Sequence, residues 1–555
     1  MTDVVLVGLG AANAIAADLL TAAGLDVTAL EAGPHRRAEE MSLDEVRNDV
    51  RQWLAEPKAA HEQPVWRAAP GGPEGAPPFP TLMVNAVGGT AIHYPGLSAR
   101  LNPWSFSART RARERYGADA IPAGSTPADW PLRYDELAPF YDRVEHDIGV
   151  AGGASGDPFG GPRTRGYPMA PLRRTGWTGL MDAAARERGW HPYPAPAAIN
   201  AEPYNGNPAC TYCGFCTASG CHRDAKGTAD VTSIPRALAT GRLRIVTGAR
   251  VLRVETGADG RATGVTYVRD GERRTLAARA VLIGTFTYEN TRLLLLSRSD
   301  AHPRGLGNAR DQVGRHFTLH VTPFAFGLFE GCDLGLYSGP WAQATCLDDF
   351  NADNFDHAGL GFLGGGLCTA AHELKPIQMA LAPRPPGVPA WGSGYKAWLA
   401  RAARSVGSVN GQFESLTYAS NRLDLAPDAT DRDGVPVVRI TFAPGENERR
   451  GHDFLMDKLA EWLRAAGASQ TWGPPTEPHL PMDGRHSYGG TRMGDDPAGA
   501  VLDRWGFVHD APNVGVLGAS AFPTPGGVNP TLTVQALAWR TAAHLASEWR
   551  ARTFS

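Results

Sequence analysis

A chain of 555 residues, 43% hydrophobic and 20% charged, has the composition of an ordinary globular protein and needs no disulfide or metal staple to build its core. Its 54 Lys and Arg are scattered against 57 Asp and Glu, for a net charge of −3, which excludes the basic stripe of a nucleic-acid-binding protein. No apolar run reaches the ~18 residues of a membrane span, and "MTDVVLVGLG" lacks a basic segment followed by a hydrophobic one and a cleavage site, so the expectation is a cytoplasmic protein, although export alongside a signal-bearing partner would leave the same sequence.

The first thirty-four residues carry the densest signal. Asp3–Val7 read as an apolar strand, Gly8-Leu9-Gly10-Ala11-Ala12 as a tight turn, and Ala11–Ala23 as a helix closed by Gly24. Val27–Leu30 read as a second strand ending at Glu31. This order suits dinucleotide binding. Gly8 turns the chain, and Gly10 lets the backbone approach a pyrophosphate. The helix N-terminus offers free N–H groups to the phosphates. Glu31, 21 residues after Gly10, stands where an acid grips a ribose hydroxyl pair. Asn13 stands where a third glycine usually serves close helix–strand packing. Glu-Ala-Gly-Pro after the second strand favours FAD over a nicotinamide.

A second glycine-rich stretch, "AVGGTAIHYPG" at 86–96, contains Gly88, Gly89 and His93. At 210–221 comes "CTYCGFCTASGC", four of the seven cysteines in twelve residues. Its C-x2-C-x2-C-x4-C spacing departs from the ferredoxin run by one residue in the last gap, and His222 replaces the proline. A reducing compartment argues against disulfides. An iron–sulfur cluster, zinc and a metal-free structural turn stay open, and no metal ligand is assigned.

Leu243–Val246, Val251–Val254, Gly264–Val268 and Ala280–Thr285 read as strands that complete the sheet begun at the N-terminus. Alternation in "HVTPFAFGLFEG" and "VPVVRITFAP" suggests a further sheet. His320, in the first of these, reads as a structural histidine in preference to one facing substrate. Near the C-terminus, "RHSYGGTRMG" at 485–494 holds His486, and "GASAFPTPGGVNPTLTVQALAWRTAAHLA" occupies 518–546. Asn513–Leu517 read as a strand. After the Gly/Pro loop a helix starts, with Asn529 as N-cap and Pro530 at its first position. Its N-terminal dipole would favour the negative charge of a reduced flavin. On the residues alone His486 reads as a loop histidine hydrogen-bonded for structure, with a general base as the alternative.

Together these stretches resemble the glucose–methanol–choline (GMC) oxidoreductases over nearly the whole chain, with "WPLRYDELAPFYDRVEHDIGV" at 130–150, "LIGTFTYENTRLLLLS" at 282–297, "DDFNADNFDHAGLGFLGGG" at 348–366 and "ITFAPGENERRGHDFL" at 440–455. The likeness is to the gluconate, fructose and sorbitol dehydrogenase flavoprotein branch, with pyranose and glycoside oxidases as relatives. It implies an α/β fold: a discontinuous Rossmann-like FAD-binding domain (1–94, 222–304, 476–555) and an α+β substrate-binding domain with a mainly antiparallel sheet (95–221, 305–475). It implies FAD contacts at Gly8, Gly10, Ala11, Ala12, Glu31, Gly88, Gly89, His93, Val251, Ala519, Asn529, Pro530 and Thr531. In relatives a histidine in V-G-G-x-x-x-H-W carries the flavin covalently; here Tyr94 replaces the tryptophan, and His93 either makes that bond or only lines the pocket.

The resemblance also makes His486 the base and Asn529 its partner, and the His–Asn pairing supports the sugar-oxidising side of the family. The implied reaction is oxidation of a hydroxyl of a sugar, polyol or sugar acid to a ketone or lactone. Electrons then pass to a dye, quinone or cytochrome, or to oxygen in an oxidase. A small subunit or a second copy of the chain is an allowed partner. Some relatives carry a three-iron cluster on a cysteine-rich segment, while the broader family often has a similar turn followed by "AK", as at Ala225-Lys226, without one.

Overall fold

Five parallel strands form the centre of an eight-stranded sheet in the order Ala511–Val516, Glu272–Ile283, Thr2–Val7, Val27–Glu31, Leu243–Thr247. This computed structural model describes residues 2–153 and 157–551, so the outer bounds of the expected first and last segments, Met1 and 552–555, lie outside the described residues. The strands are apolar because both faces of the sheet are covered. Val4 and Leu6 pack with Ala16, Ala538 and Leu545 of the helices Ala11–Ala22 and Thr531–Arg550, whereas Val5 and Val7 join the larger core around Tyr141 and Ile283.

Glu272–Ile283 serves two sheets. Its second half runs parallel to Thr2–Val7, and its first half pairs antiparallel with Ala262–Arg269, which pairs with Arg250–Thr256. The two predicted strands within 251–268 therefore form, but as an antiparallel meander beside the parallel array. Their exposed and half-buried residues suit strands with one wet face.

The second large sheet has six antiparallel strands in the order Gln470–Trp472, Phe324–Leu328, Val406–Gly411, Cys368–Ala370, Thr345–Leu347, Tyr193–Pro194. The helix Glu446–Ala465 buries Leu455, Leu459 and Leu463 in the core that holds Ala325 and Val409 of this sheet. "HVTPFAFGLFEG" does not make one strand. Pro323 cannot donate to a ladder, so Thr318–Val321 pairs with Met482–Tyr488 before it, and Phe324–Leu328 enters the six-stranded sheet after it. "VPVVRITFAP" supplies Pro436–Thr441 to a third group with Arg422–Thr430 and Val65–Arg67. One expected sheet is thus three. Among the described residues no helix is long and apolar enough to cross a membrane.

Candidate active site

A cavity of about 530 Å³ runs from the first glycine turn to the two-stranded pairing of Thr318–Val321 with Met482–Tyr488. It is of the size that cofactors and small ligands occupy. Its two ends are built differently.

At the first end the backbone itself is the wall. Gly8 has φ 77°, and a Cβ there would lie 2.9 Å from the Gly284 carbonyl oxygen. A Cβ on Gly89 would lie 2.8 Å from Cα of Gly10, so the two glycine stretches meet with no room for a side chain between them. Gly88 stands behind this wall, donating its N–H to Leu9 O at 2.8 Å. The helix Ala11–Ala22 starts without a side-chain cap, and Ala11 and Ala12 line the cavity, which leaves its positive end for an anion. These features fit the FAD pyrophosphate. Glu31 lines the same end, but its carboxylate also holds the turn, accepting Leu9 N–H at 2.9 Å and Gly33 N–H at 2.8 Å. Burial pushes its pKa up to about 7.

Asn13 replaces the missing glycine through two devices. Its Nδ2 donates to Val7 O at 2.9 Å and Gly8 O at 2.8 Å, so the amide ties the helix to the strand end. The space comes from Gly284, where a Cβ would lie 2.8 Å from the Asn13 amide. The small residue stands instead just past the end of the facing strand Glu272–Ile283.

At the far end side chains do the work. The register between Met482–Tyr488 and Thr318–Val321 shifts between Asp483 and Ser487, which lifts Gly484-Arg485-His486 out of the ladder as a bulge, a device that re-aims a side chain. His486 lines the cavity with Nε2 3.2 Å from Asn529 Nδ2, and Gln412 Nε2 donates to Asn529 Oδ1 at 2.8 Å. Burial lowers the His486 pKa, and Arg485 lowers it further against the opposing pull of Asp483, so the ring stays neutral near pH 7. Arg485 grips Asp483 through two bonds of 2.7 Å, which holds that carboxyl well below its usual range. Asn529 was expected to cap the last helix. That helix instead begins at Thr531 after Pro530, with no side-chain cap, because the Asn529 amide is committed to His486 and Gln412.

Of the residues expected at the cofactor, Gly8, Gly10, Ala11, Ala12, Glu31, Gly89, His93, Val251, Ala519, Asn529, Pro530 and Thr531 line this one cavity with His486; Gly88 supports it from behind. His93 is 6% exposed, and its Nε2 lies 3.1 Å from Leu82 O. Sequence reasoning missed Thr322, Trp341, Asn410 and Gln412, which line the cavity. It also missed a buried ionic cluster on its wall: Lys58 with Glu62 at 2.5 Å, Arg292 with Asp431 at 2.6 Å and Glu289 at 3.1 Å, and Arg250 with Asp431 at 3.5 Å. Glu289 and Arg292 lie in the stretch 282–297, but Lys58, Glu62, Arg250 and Asp431 sit in no short motif. Two of the four pairs, Arg292–Asp431 and Arg250–Asp431, join positions more than 100 apart, so only the fold assembles the cluster.

The four clustered cysteines are unpaired thiols that line a separate cavity of about 20 Å³, roughly one water in size. Burial raises the pKa of Cys210 to about 11 and lifts Cys213 and Cys216 as well, which keeps these thiols protonated near pH 7. Among the described residues no group of His, Cys, Asp and Glu has metal-binding geometry. Buried Lys226 gathers the turn, donating to Tyr94 O at 2.9 Å, Ser219 O at 2.9 Å and Cys216 O at 3.2 Å. Glu373 accepts the N–H groups of Cys216 and Thr217 from the other side. Thr217 and Ala218 reach the large cavity, so the turn forms part of its wall.

Two GMC oxidoreductase family models match this chain, the N-terminal one over residues 129–322 and the C-terminal one over 417–538. The gluconate 2-dehydrogenase flavoprotein of Pantoea cypripedii is 32% identical over 99% of this chain and 94% of its own length. This chain is a GMC oxidoreductase. Paromamine 6′-oxidase of Streptomyces fradiae is also similar, 30% identical over 98% of this chain and 91% of that protein. The crystal structure of pyridoxine 4-oxidase from Mesorbium loti shares the fold, with a TM-score of 0.63 over 98% of this chain and 99% of that one at 17% identity. As a GMC oxidoreductase the protein is an FAD-dependent enzyme that oxidises CH–OH groups.

Proposed function

We propose that this GMC oxidoreductase oxidises a hydroxyl of a sugar, polyol or sugar acid to a ketone or lactone and passes the electrons to an acceptor other than oxygen. The observation that carries this reading is the His486 ring at the end of the cavity, with Nε2 3.2 Å from the Asn529 amide. Bound FAD supplies the hydride acceptor. His486 takes the hydroxyl proton at Nε2. The Asn529 amide orients the hydroxyl oxygen, and Gln412 fixes that amide. Thr322, Asn410 and Trp341 line the cavity with a hydroxyl, an amide and an indole, groups suited to a polyhydroxy substrate. Similarity to a gluconate 2-dehydrogenase flavoprotein supports an aldonate or sugar substrate and a dehydrogenase.

The purified protein, mixed anaerobically with a panel of sugars, polyols and aldonates, should bleach its flavin absorbance with at least one of them. His486→Ala should retain FAD and lose at least about 100-fold in that reduction rate; an unchanged rate removes His486 from its role. The relation to paromamine 6′-oxidase supports a second reading, an oxidase that reduces oxygen to peroxide. Peroxide formed as fast as a dye is reduced would establish it. His93 Nε2 is engaged by Leu82 O, which leaves Nδ1 free for the flavin. Flavin in an acid-precipitated pellet would mark a covalent link; flavin in the supernatant would mark a pocket-lining histidine.

A further inference from the structure

The strand opposite His486 carries a second histidine that never reaches the cavity. His320 is fully buried on Thr318–Val321, opposite Asp483 in the register. Its Nδ1 lies 3.2 Å from His486 Nδ1, and the two rings meet edge to face, with centroids 5.2 Å apart at 89°. Its Nε2 lies 2.7 Å from Gly526 O and 3.1 Å from the Tyr488 hydroxyl, which has Val528 O at 3.3 Å as its own acceptor.

These contacts fix where the ring hydrogens sit. Gly526 O is a carbonyl and can only accept, so His320 Nε2 carries a hydrogen. Burial keeps His320 neutral, its pKa lowered to about 3, so its Nδ1 is bare. Two bare ring nitrogens at 3.2 Å would repel, so His486 Nδ1 must carry the hydrogen and donate it to His320. That leaves His486 Nε2 bare, facing the Asn529 amide and the cavity. The order runs in one direction, from Asn529 through His486 and His320 to Gly526 O.

We infer that His320 is a positioning residue: it holds His486 in the tautomer whose Nε2 can accept a proton, and it supports the imidazolium that results. The inference rests on the reading of His486 as base. When the substrate O–H bond breaks, its proton goes to Nε2 of His486 and the carbon's hydride leaves to the cofactor. The imidazolium keeps Nδ1–H on His320. A neutral histidine does here what a carboxylate does in other base–orienter pairs. The charged and titratable groups around the pair are Asp483 and Arg485 on the His486 strand and Tyr488 beside His320. Beyond the Gly526 peptide, Glu414 accepts its N–H at 3.2 Å.

The test is anaerobic flavin reduction by the best substrate of the panel, followed by rapid mixing as a function of pH in wild type, His320→Phe, His320→Asn and His486→Ala. His320→Phe keeps a ring but removes the acceptor. The rate should fall about 10- to 100-fold with the substrate half-saturation changed less than about threefold. The acid limb of its pH profile should move down by about one unit, because the imidazolium loses a hydrogen bond. His320→Asn restores an acceptor oxygen near Nδ1 and should stay within about fivefold of wild type, with its acid limb in place. A Phe variant that matches wild type in rate and pH profile, while His486→Ala is inactive, overturns the role of His320 and leaves the base intact. An active His486→Ala overturns the base itself. If the Phe variant is isolated without FAD, the Asn variant decides alone: a rate within about fivefold of wild type supports the inference, and any larger loss overturns it.

Discussion

The two ends of the cavity are made of different material. The end proposed to hold the cofactor is backbone: Gly8, Gly10 and Gly89 bring chain against chain, and a helix start faces the space between them. The end proposed as catalytic is side chain: His486, His320, Asn529 and Gln412 hold one another by hydrogen bonds of 2.8–3.2 Å. The first depends on atoms being absent, the second on a few atoms facing the right way. The first should therefore fail by losing its ligand, and the second by losing rate with the ligand still in place.

The sharpest way to break that contrast is Gly89→Val. Its Cβ would fall 2.8 Å from Gly10 Cα at a φ of 62°, a conformation that β-branched residues avoid. The protein should be isolated without bound flavin, seen as loss of the visible absorbance. A yellow protein with normal turnover would show that the glycine contact is dispensable.

A smaller effect is expected from Asp431→Ala, on the cavity wall. Its side chain is fully buried against Arg292 and Arg250, and removing it leaves two buried cations short of a partner. The cost should be about 3 kcal/mol, read as a lowered denaturation midpoint, with catalysis by the surviving holoenzyme near normal. A large loss of rate at unchanged stability would tie this cluster to the chemistry.

Glu414→Gln probes the end proposed as catalytic most gently. Burial raises the Glu414 pKa to about 7 from 4.5. A carboxyl with a raised folded-state pKa stabilises the fold fully below pH 4.5, and that contribution is lost as pH rises through 7. Gln does not titrate, so the variant should gain stability relative to wild type as pH rises from 5 to 8, by about 1–3 kcal/mol at most. A constant difference across that range would show that Glu414 is ionised in the fold.

The same contrast explains what could be read in advance. The Thr2–Glu31 unit is contiguous, its spacing is one that suits a phosphate-binding turn, and strand, turn, helix and acid all stand where expected. His486 and Asn529 were visible through motifs, yet their mutual orientation was not. It needs Gln412 from the end of one strand, His320 from another and the Gly526 carbonyl from a loop. His320 was read as structural, and it is buried, but the atom that matters is the one it turns toward His486. The expected single sheet in the second half failed because Pro323 splits one apparent strand between two pairings, which hydrophobic alternation does not register.

Asn13 and Gly284 carry a consequence for how such chains are recognised. One packing requirement, a small residue where the first helix crosses the sheet, is met by two positions 271 apart in sequence. The two sites should vary together: a relative with glycine at the position of Asn13 is free to hold a larger residue at that of Gly284, and a chain with large residues at both cannot close the helix onto the strand. The third glycine of the dinucleotide fingerprint is then half of a paired choice, and a search that weighs both positions would keep chains that a search for the glycine alone discards.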